Sequence, residues 1–203
     1  MRIIGGSLKG RIIDLPPRYS ARPTTDFAKE ALFNILDNEY DFADLKVLDL
    51  FGGTGAISYE FASRGAARVY CVEMSRDNAL FIRREAARLG LDAVVAVHQN
   101  VFDFLPICRE RFDIVFADPP YALEGLETLP DKVFGLVPGR THAGAAASVT
   151  GSTPDGYAPS GGLLFPERYL ILEHGSEHSF TGHPLFVKEK VYGRVHFSFF
   201  ESK

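Results

Sequence analysis

Val47-Leu48-Asp49-Leu50-Phe51-Gly52-Gly53-Thr54-Gly55 decides how the rest of the chain is read. An apolar run holding one acid leads into a glycine-rich turn, and Ala56 to Ser63 continues with helical patterning. The order is strand, tight turn, helix. Glycines there permit positive φ and let another group approach the backbone where a Cβ would block it. The N–H groups opening the helix have no partner within it and favour a negative group nearby. The spacing differs from the dinucleotide fingerprint Gly-x-Gly-x-x-Gly, and no Gly-Lys-Ser/Thr of a P-loop follows.

The chain carries this stretch in 203 residues with 46% hydrophobic and 24% charged content, enough for one substantial core. No apolar run approaches the roughly 18 residues that would span a bilayer. The N-terminus lacks a signal peptide's apolar stretch, so a cytoplasmic location is expected. Cys71 and Cys108 make neither a disulfide framework nor a cysteine-rich metal site, and Cys71 reads as a small buried hydrophobe. Net charge is −4, yet residues 1–29 hold Arg2, Lys9, Arg11, Arg18, Arg22 and Lys29 against only Asp14 and Asp26. That asymmetry suggests a basic approach surface beside an acidic body.

Outward from the glycine turn, Val47–Phe51, Val69–Glu73, Val94–His98 and Asp113–Ala117 read as strands, with helical segments at Ala56–Ser63 and Ser75–Leu89. Val101–Cys108 reads as a short helix or as irregular chain. The alternation predicts an α/β fold with a mostly parallel sheet covered on both faces, its loops opening at the strands' carboxyl ends. Tyr169–His174 is a further strand, and Phe186–Tyr192 with Val195–Phe200 forms an antiparallel hairpin turning at Gly193-Arg194. Leu123–Val137 has a helical stripe in which Pro130 begins a second piece.

Upstream, Arg2–Gly5 and Arg11–Asp14 predict a small hairpin. A helix over Asp26–Asn38 comes next, capped by Thr25 or Asp26, with Phe27, Leu32, Phe33 and Leu36 on its apolar side. Arg22 and Lys29 point toward a phosphate or a carboxylate, or stand in solvent. The division expected is an N-terminal basic extension over 1–40 and a core domain over 41–203. The Gly/Ala/Ser-rich stretch 139–166 reads as an inserted flexible loop or a substrate-facing lid.

Asp118-Pro119-Pro120-Tyr121 follows the Asp113–Ala117 strand. Two prolines fix successive φ angles and bias the preceding residues away from the α region, which presents oxygen acceptors at a strand end. Tyr121 adds an aromatic face on which a flat base can stack. Acceptors of this kind grip both N–H bonds of an exocyclic amine and aim its lone pair. His98, His174, His178 and His183 make no convincing metal set, only His174 and His178 having a suggestive separation. No nucleophile elbow appears, and Phe197, Phe199 and Phe200 read as sheet packing.

Taken together, these motifs resemble the bacterial 16S rRNA guanine-(966) N2-methyltransferase family, S-adenosylmethionine-dependent enzymes with the class-I (Rossmann-like) fold. The resemblance rests on Arg2-Ile3-Ile4-Gly5-Gly6, Lys9-Gly10-Arg11, Arg22-Pro23-Thr24-Thr25-Asp26, Glu30-Ala31-Leu32-Phe33-Asn34, Asp49 to Gly55, Val72-Glu73-Met74, Asp118 to Tyr121 and Tyr192-Gly193-Arg194-Val195. It covers nearly the whole chain outside 139–166, a stretch longer than that family's pattern.

The resemblance implies that Asp49 lies near the donor's amino-acid portion, with Phe51, Gly52, Gly53 and Gly55 lining its pocket. Glu73 would accept from the ribose hydroxyls, Met74 would pack on the adenine, and Asn100 and Val101 would meet the adenine edge or face. Asp118, Pro119, Pro120 and Tyr121 would form the catalytic set. Arg2, Lys9, Arg11, Arg18 and Arg22 would approach RNA phosphates, which position a substrate without choosing its base. The implied partner is small-subunit rRNA or a 30S assembly particle, met by a monomer with no metal and no membrane. The alternatives are a methyltransferase acting on DNA adenine or protein glutamine, a noncatalytic RNA-binding or ribosome-assembly module and, as a minor reading, a dehydrogenase.

Overall fold

A computed structural model of the chain describes residues 1–15, 26–120, 123–136 and 162–202. The expectations for Arg18, Arg22, Thr25, Tyr121 and the centre of the 139–166 stretch lie outside the described residues. The elements are α1 (Asp26–Glu39), β1 (Lys46–Leu50), α2 (Ala56–Ser63), β2 (Arg68–Glu73), α3 (Arg76–Leu89), β3 (Val94–His98), α4 (Val101–Phe104), β4 (Phe112–Ala117), α5 (Leu129–Phe134), β5 (Leu164–His174), β6 (Phe186–Tyr192) and β7 (Val195–Glu201).

The strands form one seven-stranded sheet in the order β3-β2-β1-β4-β5-β7-β6. The first five in that order run parallel, and β7 inserts antiparallel between β5 and β6. Strands buried on both faces need apolar residues at nearly every position, which is how β1, β2 and β4 read in the sequence. Residues of α1, α2 and α3 cover one face through Leu32, Phe33, Phe61, Tyr59 and Ile82, while α4 and α5 cover the other through Val101, Phe104 and Val133. Each such fully buried side chain contributes about 1.5–3 kcal/mol of transfer free energy.

Local signals set the helix ends. The Ser75 hydroxyl caps α3 by accepting from the Asn78 N–H, and Gly90 closes that helix at φ 67°. Asn100 caps α4 by accepting from the Phe102 N–H at 2.8 Å. Pro130 stands in the first turn of α5, where its missing N–H costs nothing.

The N-terminal hairpin is present in short form: Arg2 bridges Ile12, the Ile3 N–H donates to the Arg11 carbonyl and the Ile13 N–H to the Met1 carbonyl, around a 3-10 turn at Gly6–Leu8. Its edge also binds α2: the Ile4 N–H donates to Glu60 Oε2, and the Ser63 hydroxyl donates to the Gly5 carbonyl and accepts from the Leu8 N–H. Three expectations are corrected. Phe27 is 67% exposed, and Lys29 takes the buried position in its place. The Lys29 ammonium donates to the Arg2 carbonyl and lies 3.9 Å from Glu60, so the carboxylate reading holds for it. Between Leu123 and Val137 only a 3-10 turn at Leu126–Thr128 and the short α5 are helical among the described residues. Last, β5 begins at Leu164, so the end of the 139–166 stretch is strand: the Phe112 N–H donates to the Leu163 carbonyl, and Leu164 pairs with Phe112.

Two ring contacts fix the path of α1. Phe27 at its start meets the Tyr192 ring at 6.1 Å, and Tyr40 just past its end meets Tyr169 at 6.4 Å. Because His196, just past the β6–β7 turn, pairs with the last residue of β5, α1 runs against β5 with its N-terminus at the sheet's carboxyl edge.

Candidate functional site

The parallel strands β1, β2, β3 and β4 all end at one edge, and their ends and the residues just after them carry most of the residues expected to meet the donor or the amine. Leu50 pairs with Val72 and with Ala117, and Glu73 pairs with His98. The glycine turn, Glu73-Met74, Asn100 and Asp118 therefore emerge side by side. The Asp118 N–H donates to the Leu50 carbonyl at 3.4 Å, tying the two principal motifs together.

Conformation in the turn is dictated by its residues. Phe51 has φ 64°, a left-handed geometry that costs a non-glycine residue on the order of 1 kcal/mol or more. Gly55, at φ 82°, caps α2, and a Cβ there would lie 2.8 Å from the Tyr59 ring. A Cβ on Gly52 would lie 2.2 Å from Cys71 Sγ. The Gly52 N–H donates to the Val72 carbonyl and the Gly55 N–H to the Gly52 carbonyl, which folds the turn over β2.

Asp49 lies beneath the turn and is buried; it accepts from the Ser58 hydroxyl at 2.6 Å and from Cys71 Sγ at 3.7 Å. Burial raises its pKa to about 7; the Ser58 hydrogen bond opposes the rise and the Asp118 charge adds to it. The two acids are thus close enough to sense each other. Glu73 is buried too, with Oε2 accepting from the Gly53 N–H at 2.8 Å and Oε1 from the Ser75 N–H at 2.6 Å. A carboxylate has about four lone-pair sites, so two acceptor sites remain for hydroxyl donors.

Met74 is 66% exposed, presenting an apolar side chain at the edge. The Asn100 amide N–H₂ approaches Met74 Sδ at 3.5 Å, so the two flank one position. Val101 differs from the expectation in detail: its side chain is buried in the core, and only its backbone lies at the edge. After β4, Asp118 is partly buried, Pro119 buried and Pro120 exposed, with the Leu123 N–H closing the turn on the Pro120 carbonyl.

Arg2, Lys9 and Arg11 are all exposed on the N-terminal segment. Arg2 pairs with Asp26 at 3.3 Å. Lys9 and Arg11 line a cleft of about 500 Å³ with Ser7, Gly10, Ile12 and Arg88, away from the strand ends. Met1 Sδ accepts from the Thr54 hydroxyl at 3.5 Å, which brings the chain's start against the glycine turn.

Sequence reasoning missed Ser58 and the second role of Cys71, because partners of a buried acid across a β-α unit leave no periodic signal. It noted only the separation of His174 and His178, whose rings do lie 6.4 Å apart. In the structure His174 stands opposite His196 and near Glu189, with one ligand atom from each within 4.8 Å of the others. The His174 ring is held by the Gly175 carbonyl and the Ser198 hydroxyl, each at 2.8 Å, and burial lowers its pKa.

A sheet of this order, with an acid-glycine turn at the end of its first strand, a buried acid ending its second and an Asp-Pro-Pro turn after its fourth, defines the class-I methyltransferase fold. The comparisons agree. The chain belongs to the family described as conserved hypothetical protein 95, whose pattern matches residues 1–135. Ribosomal RNA small subunit methyltransferase D of Escherichia coli K12 is 37% identical to it over 121 residues, 60% of this chain and 60% of that protein. The chain spans about three fifths of the length of the curated relatives it matches first. The structure of Escherichia coli yhhF, provisionally described as a methyltransferase, is 28% identical with a TM-score of 0.76, covering 100% of this chain and 98% of that one. At 19% identity and a TM-score of 0.63, the Thermus thermophilus 16S rRNA N2 G1207 methyltransferase RsmC, solved with AdoMet and guanosine, shares the fold over 93% of this chain and 46% of its own.

Among the described residues no helix is long and apolar enough to cross a membrane.

Proposed function

We propose that this protein transfers a methyl group from S-adenosylmethionine to the exocyclic N2 of a guanine in small-subunit rRNA, giving N2-methylguanine and S-adenosylhomocysteine. The guanine is that of position 966, as the resemblance implies. The observation that carries the reading is the joining of Asp118 to the end of β1, so that a donor pocket and an amine-gripping turn share one edge.

The residues fit the donor. Glu73 retains acceptor capacity for ribose hydroxyls, and exposed Met74 offers an apolar face for a purine. When bound, S-adenosylmethionine supplies an electrophilic sulfonium methyl. Everything else falls to the protein. The Asp118 carboxylate and the Pro119 carbonyl accept the two N2–H bonds and turn the nitrogen lone pair toward the donor pocket. Tyr121 stacks on a base that has left its helix. Holding the two reactants in line supplies much of the acceleration. Asp118 need not deprotonate the amine first, because nitrogen becomes acidic as its new bond forms; the proton then passes to Asp118 or water.

The relative named for ribosomal RNA small-subunit methylation supports the substrate class, and the exposed Lys9 and Arg11 supply phosphate contacts for it. The proposed setting is a cytoplasmic monomer that works without a metal on rRNA or a 30S assembly particle.

The test is transfer of labelled methyl to small-subunit particles lacking the modification, with the product nucleoside and its position mapped. Label appearing as N2-methylguanine at that position, and abolished by Asp118→Ala with donor affinity intact, is the expected result. Full turnover by Asp118→Ala rejects the mechanism. Label on DNA or peptide but not on particles rejects the substrate. Donor binding without transfer to any of them selects a noncatalytic assembly role.

A further inference from the structure

We infer that Glu173 is the residue that distinguishes guanine from adenine at this site, by accepting the N1–H of the base whose N2 amine Asp118 holds. The inference rests on the methyl-transfer reading above and assigns that site a base-reading group.

The register places it. Strands β4 and β5 are parallel, with Phe116 opposite Ile171 and Ala117 opposite Leu172. One step further, Asp118 and Glu173 stand side by side at the carboxyl edge, a strand spacing of about 4.8 Å apart. Side chains alternate along a strand, so Glu173 shares the face of Ile171, and Asp118 that of Phe116. Phe116 and Ile171 share a face with Asp49, which pairs with Phe116 on β1. Three acids therefore line one face of three adjacent strand ends.

Glu173 is 4% exposed, although it stands near the end of its strand, opposite Phe197 in the next one. Acids are rarely buried this far unless donors reach them. Its carboxylate has about four lone-pair sites, so a partner within the protein leaves room for a further donor. The proposed mechanism uses Asp118 but gives Glu173 no task.

Base chemistry supplies the task. On its Watson–Crick edge guanine presents two neighbouring donors, N1–H and N2–H₂. Adenine presents one donor beside an unprotonated N1. Two acceptors in a row match the first pattern and set a lone pair against a carboxylate in the second. Phosphate contacts from Lys9 and Arg11 carry no such information. A site that hydrogen-bonds a substrate N–H rejects an analogue lacking it, here because the lone pair on an unprotonated N1 faces the carboxylate.

The test uses small-subunit particles reconstituted with a synthetic rRNA segment that bears guanine or 2,6-diaminopurine at the methylated position. Both bases carry the N2 amine, and only guanine carries N1–H. Wild-type protein is expected to favour guanine in kcat/KM by on the order of 100-fold. Glu173→Gln, whose amide can donate to an unprotonated N1, is expected to narrow that ratio at least tenfold with donor affinity unchanged. An unaltered ratio in Glu173→Gln, or equal use of both bases by wild-type protein, overturns the inference while the methyl-transfer reading stands. Absence of any wild-type transfer overturns that reading instead. If Glu173→Gln does not fold, Glu173→Asp keeps the charge and shortens its reach: a tenfold loss of guanine preference supports the assignment, and a preserved preference refutes it.

Discussion

A Cβ added to Gly52 would lie 2.2 Å from the sulfur of Cys71, so the glycine turn over β2 is shaped by a side chain on the neighbouring strand. The demand is spatial, because Gly52 is not among the residues with positive φ. Gly52→Ala is therefore expected to cost about 1–3 kcal/mol, as overpacking does. Removing the sulfur makes room. The double variant Gly52→Ala/Cys71→Ala should be more stable than the sum of the two single losses predicts, by about 1 kcal/mol or more. Urea unfolding of the four proteins measures this, and strict additivity would show that the sulfur is not what excludes the methyl.

Asp49 makes stability depend on pH in a definite direction. Its pKa is about 7 in the folded protein against 3.8 for an unperturbed group. Between those values the folded state holds a proton that the unfolded state has lost, so this group's contribution falls as pH rises from about 4 to 7. Asp49→Asn removes the dependence. Relative to wild type, the variant should gain on the order of a few kcal/mol between pH 4 and pH 8, since a pKa displaced by one corresponds to about 1.4 kcal/mol. Parallel stability profiles for the two proteins across that range would refute it.

The N-terminal segment hangs on a buried charge cluster. The Glu60 side chain has no exposed surface and accepts from the Ile4 N–H at 3.0 Å and from Arg64 Nε at 3.2 Å, with Lys29 Nζ 3.9 Å away. Burial raises the Glu60 pKa and lowers that of Lys29, and each charge offsets the other's displacement. Lys29→Met leaves Glu60 with Arg64 but without its buried partner, which should cost about 3 kcal/mol. Lys29→Met/Glu60→Gln should recover part of the loss. Denaturant midpoints read both variants; a Lys29→Met protein as stable as wild type would mean that the pair holds nothing.

Charge reversal of Lys9 and Arg11 tests the basic face without disturbing the glycine turn. Both are exposed and away from the strand ends. Lys9→Glu/Arg11→Glu should weaken particle binding at least tenfold and make it less salt-dependent, the slope falling by roughly 0.7–0.9 for each phosphate no longer neutralised. Donor affinity should not change. Titration at two salt concentrations decides; equal affinity and equal slope would assign these residues to solvent.

Much of the architecture is legible in the sequence because its signals are local. The strand over Val94–His98 and the helix over Ala56–Ser63 have the expected bounds, since an apolar run between polar turns is enough to mark them. The turn at Gly193-Arg194 is visible for the same reason, and Gly193 adopts φ 66° there. Expectations fail where distant chain chooses the partner. Helical periodicity puts Phe27 inward, but Glu60 and the Arg2 carbonyl draw Lys29 in and turn Phe27 out. The docking of the N-terminal hairpin on α2 through Glu60 and Ser63 likewise has no local signal.

By itself, then, the sequence determined an α/β sheet, a bare-backbone turn after Asp49, an acid at the end of the second strand and a rigid acceptor turn at Asp118. Each is a matter of residue type and short spacing. Only the tertiary structure decided that Asp118 hydrogen-bonds to the end of β1, that Cys71 forbids a side chain at Gly52, and that Glu173 stands beside Asp118. Those relations depend on strand register and helix phase, which are set by pairing and packing between segments tens of residues apart.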